Sequence, residues 1–170
     1  MISFSPQRFF IGLAFLTLSV SAPLLSAAES SNVPFPAPDV RWQHGGTIEH
    51  LASLRGKPVL LLIAPSPENY TFRRQLHELK GLYEHLATQH MIGVVAFTKQ
   101  GGRIPSNVPF ITLLDGPAVA AAYDVSGSFA VAVIGADGNL DCLSTRPLPG
   151  QRIHDLIDAS YSRQEAMRRP

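Results

Sequence analysis

The run Val59-Leu60-Leu61-Leu62-Ile63 carries an apolar side chain at every position. Along an extended strand, successive side chains point to opposite faces. A strand with no polar face must be covered on both sides, which is the situation of a central strand in a sheet packed between helices. Pro58 opens this strand, and Ala64-Pro65-Ser66-Pro67 ends it. The period then changes. Phe72, Leu76, Leu79, Tyr83 and Leu86 recur at helical steps, which is the spacing of one buried stripe. The pattern predicts a helix over residues 67–88, with Ser66 as its N-cap and Pro67 at its first position. Met91 to Phe97 reads as a second buried strand. Strand, helix and strand in this order imply parallel pairing through a right-handed crossover.

The flanking segments are less regular. Val40 to Gln43 reads as a short strand, and Leu51 to Leu54 as one helical turn closed by Gly56. Residues 99–109 form a polar, glycine-bearing loop, and Val108 to Leu114 fits a strand and a helical turn equally well. Pro117 to Tyr123 reads as a short Ala-rich helix, and Phe129 to Ile134 as a strand. Asp137-Gly138 signals a hairpin turn in which both residues take positive φ. Leu140 to Ser144 returns as the antiparallel partner. Simple alternation there places Leu140 and Cys142 on one face, Asp141 and Leu143 on the other. A last helix is expected from about Gly150 to Tyr161, with Ile153, Leu156 and Ile157 inward.

The N-terminus follows a tripartite secretory pattern. Arg8 precedes an apolar run from Phe9 to Val20, and Ser26-Ala27-Ala28 supplies small residues at a cleavage site after Ala28. A retained anchor is the competing reading. The run is short for a bilayer span, and Pro23 interrupts it. The expectation is a signal at 1–28, an exposed Ser/Pro-rich lead-in at 29–45, one domain at 46–160 and a charged helical tail at 161–170. The location expected is periplasmic or secreted. Without Arg8, 13 basic residues face 13 acidic ones. That balance disfavours nucleic acid and a polybasic membrane contact as partners.

Two resemblances follow from these residues. Leu54-Arg55-Gly56-Lys57-Pro58-Val59-Leu60-Leu61 and Val133-Ile134-Gly135-Ala136-Asp137-Gly138 resemble the central strand and hairpin of peroxiredoxins and secreted thioredoxin-like proteins. The Arg55-to-Leu62 strand, Ala64-Pro65-Ser66-Pro67, the hairpin, and the tail Ile157-Asp158-Ala159 with Arg163-Gln164-Glu165-Ala166-Met167-Arg168 resemble the bacterial family known as domain of unknown function 4174. The implied fold is α/β: a thioredoxin-like three-layer α/β/α arrangement with a central mixed sheet. Redox thioredoxins carry a dithiol between the central strand and its helix, where free N–H groups stabilise a thiolate. Here that junction has no sulfur. The facing position, where thioredoxins keep a cis-proline, falls near Phe129. Disulfide exchange needs a thiolate attacker, and the hydroxyl of Ser66 does not substitute for one.

The candidate sites are therefore few. Ser66 either caps its helix with its own hydroxyl or holds an anion against free N–H groups. A ligand at this junction would meet Pro65, Ser66, Pro67, Glu68 and Asn69, with Phe129 opposite. Cys142 is the single cysteine, so no intrachain disulfide forms. It reads as a buried small hydrophobe or, alternatively, as the thiol of a one-cysteine oxidoreductase or peroxidase. His77, His85 and His90 stand at poor spacings for a helical metal pair, and His44 and His50 leave a histidine-based metal role as a weaker option. Gly101-Gly102-Arg103 lacks the Lys-Ser/Thr ending of a phosphate loop, and no Gly-x-Ser-x-Gly elbow occurs. Arg163, Arg168 and Arg169 read as a solvated helical tail. No cofactor or metal is expected. The function expected is a secreted, non-catalytic thioredoxin-like module binding a protein partner or small ligand.

Overall fold

The computed structural model describes residues 35–44 and 46–169; the signal expected at 1–28 lies outside the described residues. Six strands form one mixed sheet: β1 (Phe35–Pro36), β4 (Val59–Ala64), β5 (Ile92–Phe97), β6 (Phe110–Leu113), β7 (Ala130–Ile134) and β8 (Asn139–Ser144). Their spatial order is β1-β8-β7-β4-β5-β6. β4, β5 and β6 run parallel, while β7 lies antiparallel to β4, and β8 antiparallel to β7. A separate hairpin joins β2 (Arg41–His44) to β3 (Thr47–His50). The segment left open between strand and helical turn is thus the edge strand β6.

The apolar run of β4 now has its explanation. Leu60, Leu62 and Ala64 enter one core, with α1 (Tyr70–Lys80), α2 (Tyr83–Thr88) and α4 (Gly150–Arg168) over it. Val59, Leu61 and Ile63 enter a second core, under α3 (Gly116–Ala122), Trp42 and Leu51. The architecture is three-layer α/β/α.

Four expectations are corrected. The helix expected over 67–88 is two helices, broken where Gly81 is followed by Leu82. Glycine is a weak helix former, and Leu82 lies so close to α4 that a Cβ on Gly150 would fall 2.0 Å from its Cδ1. The lead-in is not wholly exposed: Phe35–Pro36 pairs with β8, and Val40 and Trp42 are buried, since a Trp that finds an apolar cover stays in it. The hairpin turn is longer than two residues. The Gly135 N–H donates to the Asn139 carbonyl (2.8 Å), the Gly138 N–H donates to the Gly135 carbonyl (2.9 Å), and of the Asp137-Gly138 pair only Gly138 has positive φ, at 82°. The fourth correction concerns β8. Ile134 pairs with Leu140 but Val133 with Cys142, so Asp141 is the extra residue of a β-bulge. Leu140 and Cys142 consequently lie in different cores.

Candidate functional site

The site begins where β4 ends. The Ala64 carbonyl accepts the Thr98 N–H (2.9 Å), and the Pro65 carbonyl accepts both the Lys99 and Gln100 N–H groups (3.1 and 3.0 Å). These bonds tie the junction to the loop after β5. Pro67 is buried, and a Cβ on Gly102 would fall 3.2 Å from its Cγ, so the loop lies directly on the proline ring. Ser66 does not cap the helix. The Asn69 N–H closes a turn onto the Ser66 carbonyl (3.2 Å), and the Phe72 N–H donates to Asn69 Oδ1 (3.0 Å). Asn69 is the cap, and α1 starts at Tyr70. Ser66 is left half-buried, Glu68 exposed, and Tyr70 77% exposed at the head of the helix.

Phe129 precedes β7 directly. Because Ile63 pairs with Ala130, Phe129 stands level with Ala64, where it is buried in the same core. It fills its position as packing, and among the described residues no peptide bond is cis. The junction and Phe129 are thus neighbours across two strands, as expected, but Phe129 offers a ligand nothing polar.

Cys142 is elsewhere. It pairs with Val133, which pairs with Leu60. Strand spacing and rise put it about 16 Å from the junction. The thiol is 6% exposed, and burial pushes its pKa up, with Arg152 opposing and Asp141 reinforcing the shift. A neutral thiol in an apolar wall is neither a nucleophile nor a metal ligand.

Two clusters were not visible in the sequence. Arg163 is not a solvated tail residue: its Nη2 donates to Asp141 Oδ1 and its Nε to Asp137 Oδ2 (3.4 Å), with both carboxylate side chains at most 6% exposed. Gln164 Nε2 donates to the Ala136 carbonyl (3.3 Å), so this end of α4 clasps the hairpin. Burial, with Asp137 reinforcing and Arg163 opposing, raises the Asp141 pKa to about 6. A helix-end Arg paired with Asp residues of a turn is the only sequence signal for it. The second cluster stacks His85 on His154, ring centroids 4.2 Å apart. His50 instead meets Asp39 (Nδ1 to Oδ2 3.0 Å). Among the described residues no group of three His, Cys, Asp or Glu side chains is arranged to hold a metal. Nor is any helix among them long and apolar enough to cross a membrane.

The pattern of the family described as Domain of unknown function (DUF4174) matches residues 50–166. No curated protein matches the chain in sequence. Solved structures match in fold. A thiol:disulfide interchange protein of the thioredoxin family from Chlorobium tepidum TLS is 16% identical with a TM-score of 0.56, over 75% of this chain and 97% of that one. The pneumococcal exposed lipoprotein thioredoxin from Streptococcus pneumoniae gives 16%, 0.53, 71% and 98%. The reduced 2-Cys peroxiredoxin of Plasmodium vivax gives 14%, 0.58, 79% and 99%. At these identities the likeness is one of fold, and the fold is thioredoxin-like.

Proposed function

The chain belongs to the DUF4174 family, and we propose that this member is a non-catalytic thioredoxin-like module that works outside the cytoplasm and docks a protein partner at the end of β4. One observation carries the reading. The strand–helix junction, the place of the dithiol in redox thioredoxins, is Ala64-Pro65-Ser66-Pro67, while the chain's one thiol is buried about 16 Å away by strand geometry. The first supplies no attacking group, and the second is too buried to act as one.

What the junction keeps is a rigid, partly apolar surface. Tyr70 is exposed beside it, and Leu114, 77% exposed, follows β6 at the same carboxyl end of the parallel strands. An exposed Tyr held on a stiff backbone is a typical anchor for protein recognition. The location rests on the secretory pattern of residues 1–28; the likeness to an exposed lipoprotein thioredoxin accords with it.

The test uses the mature chain in two assays. In an insulin-reduction assay with dithiothreitol, wild type and Cys142→Ser are expected to give the same background rate. A rate above background that Cys142→Ser abolishes would establish the one-cysteine oxidoreductase instead. In crosslinking on native envelopes, wild type should give a discrete adduct that Tyr70→Ala and Ser66→Arg both lose. An adduct that survives both changes removes the junction from the contact.

A further inference from the structure

We propose that the groove between α1 and the 104–107 segment receives an acidic stretch of the partner protein. The proposal rests on the partner-binding reading above and names the chemistry of the partner. Arg73, His77 and Lys80 stand at steps of four and three on α1, so they form one row along its surface. Leu76, buried, lies between them as the floor. Pro105, Ser106 and Asn107 make the opposite wall, and the space between is about 420 Å³. That wall is held: the Ser106 N–H donates to the Ile104 carbonyl (3.0 Å), and the Val108 N–H donates to Ser106 Oγ (3.0 Å), with Val108 itself buried.

The charge of this groove is one-sided. Among the described residues no carboxylate lines it. Among the described residues none of Arg73, His77 and Lys80 is in an ion pair, whereas His50, His154, Arg163 and Arg169 are. The chain as a whole has a formal net charge of only +1. Arg73 and Lys80, two turns apart on this face, have no anionic partner among the described residues, and an incoming row of carboxylates supplies the missing counter-charge. Ser106 and Asn107 add a hydroxyl and an amide able to donate to the same carboxylates. The basic side chains are exposed, so each contact with one anion is weak in water. An extended segment that meets several of them at once gains affinity from their sum, as a single small anion does not. The groove also abuts the proposed docking junction: Arg73 lies one turn from the Asn69 cap, and its N–H donates to the Asn69 carbonyl (3.0 Å). The loop that forms the far wall rests on Pro67 through Gly102.

The experiment measures anisotropy of a fluorescein-labelled peptide of alternating Glu and Ala, twelve residues long, against the mature chain at about 50 mM salt, where exposed charges are least screened. Saturable binding is expected, weakened at least tenfold by Arg73→Glu with Lys80→Glu, unchanged within twofold by Arg168→Glu on the far end of α4, and lost at about 0.5 M salt. Equal weakening in the Arg168→Glu control, or equal binding of the peptide with Gln in place of Glu, overturns the proposal. So does competition by inorganic phosphate at concentrations matching the peptide's carboxylate content, which means a small-anion site. A concentration-dependent dimer that the double charge reversal dissolves makes the occupant a second copy, and overturns it as well. None of these results touches the junction, whose own test is the adduct lost in Tyr70→Ala.

Discussion

Leu140 and Cys142 stand two residues apart on one strand and face opposite sides of the sheet. Asp141 is the cause: as the extra residue of a bulge it resets the alternation between them. The thiol is thereby turned into the core beneath α4 that also holds Ile153 and Leu156. Native protein should react with a disulfide reagent at least a hundredfold more slowly than protein in denaturant. The rate should stay low through mildly alkaline pH, because burial raises the thiol's pKa. Stopped-flow thiol titration checks this. Rapid stoichiometric reaction of the folded chain is the contrary result, and it would restore Cys142 as a candidate nucleophile.

The same bulge carries Asp141 to Arg163 and Asp137, and this predicts an unusual pH dependence. The Asp141 carboxyl titrates near pH 6 in the folded chain, above the ordinary carboxylate range of the unfolded one. The native state therefore binds this proton more tightly. Its contribution to stability is complete below about pH 4 and is lost as pH rises through about 6. Arg163 lowers the Asp141 pKa without cancelling the burial effect. Asp141→Asn should therefore stabilise the chain at pH 7.5 by about 1 kcal/mol, after discounting for solvent screening, and should be near neutral at pH 4.5. Arg163→Gln should steepen the dependence, since it removes the opposing charge. Urea denaturation of the three proteins across pH 4.5 to 8 decides it. An Asp141→Asn protein that is less stable than wild type at pH 7.5 contradicts the account.

Gly116 at the start of α3 sets how closely that helix approaches β5. A Cβ there would fall 2.0 Å from the Phe97 carbonyl oxygen and 2.4 Å from its carbon, and both are backbone atoms. Gly116→Ala should cost about 3 kcal/mol, because neither strand nor helix can yield cheaply. Gly101→Ala, with no atom of the described residues within 4 Å of the new methyl, should be within about 0.5 kcal/mol of wild type. Thermal denaturation of the two variants checks the contrast, and equal melting temperatures contradict it.

What was legible in the sequence was what repeats with a period. The all-apolar strand implied a doubly covered sheet because no other arrangement hides both its faces, and Leu60 and Leu61 do enter different cores. The stripe from Phe72 to Leu86 located the helical layer but not its break, since two short helices in series keep nearly the same spacing. Single-residue events left no periodic trace. The bulge at Asp141 flips a face by inserting one residue, and nothing in the local composition marks which residue it is. Gln75 is a polar residue inside the apolar stripe of α1. It is fully buried, because its amide accepts the Leu148 N–H (2.7 Å) and donates to the Leu148 carbonyl (3.1 Å), a partner 73 residues away. Arg163 was likewise read as solvated because its carboxylate partners come from the hairpin, which only the fold brings near α4.

At the junction itself the expected cap was Ser66, and the fold uses Asn69, three residues later. Ser66 and Asn69 are both good N-caps in principle. The Ser66 carbonyl is instead used to close the turn that holds Pro67 under Gly102, and Asn69 Oδ1 takes the Phe72 N–H. Asn69→Ala should lower stability by about 1 kcal/mol, the usual cost of losing a side-chain cap. Ser66→Ala should change it by less than about 0.5 kcal/mol, as its hydroxyl meets no helical N–H. Asn69→Asp should recover most of the loss, since a carboxylate accepts the same bond and sits favourably at a helix N-terminus. Urea midpoints of the three variants, compared at one pH, separate the two caps. A larger effect from Ser66→Ala would mean that α1 begins at Pro67 in solution, and the surface offered to a partner would then be the free N–H groups of that earlier turn.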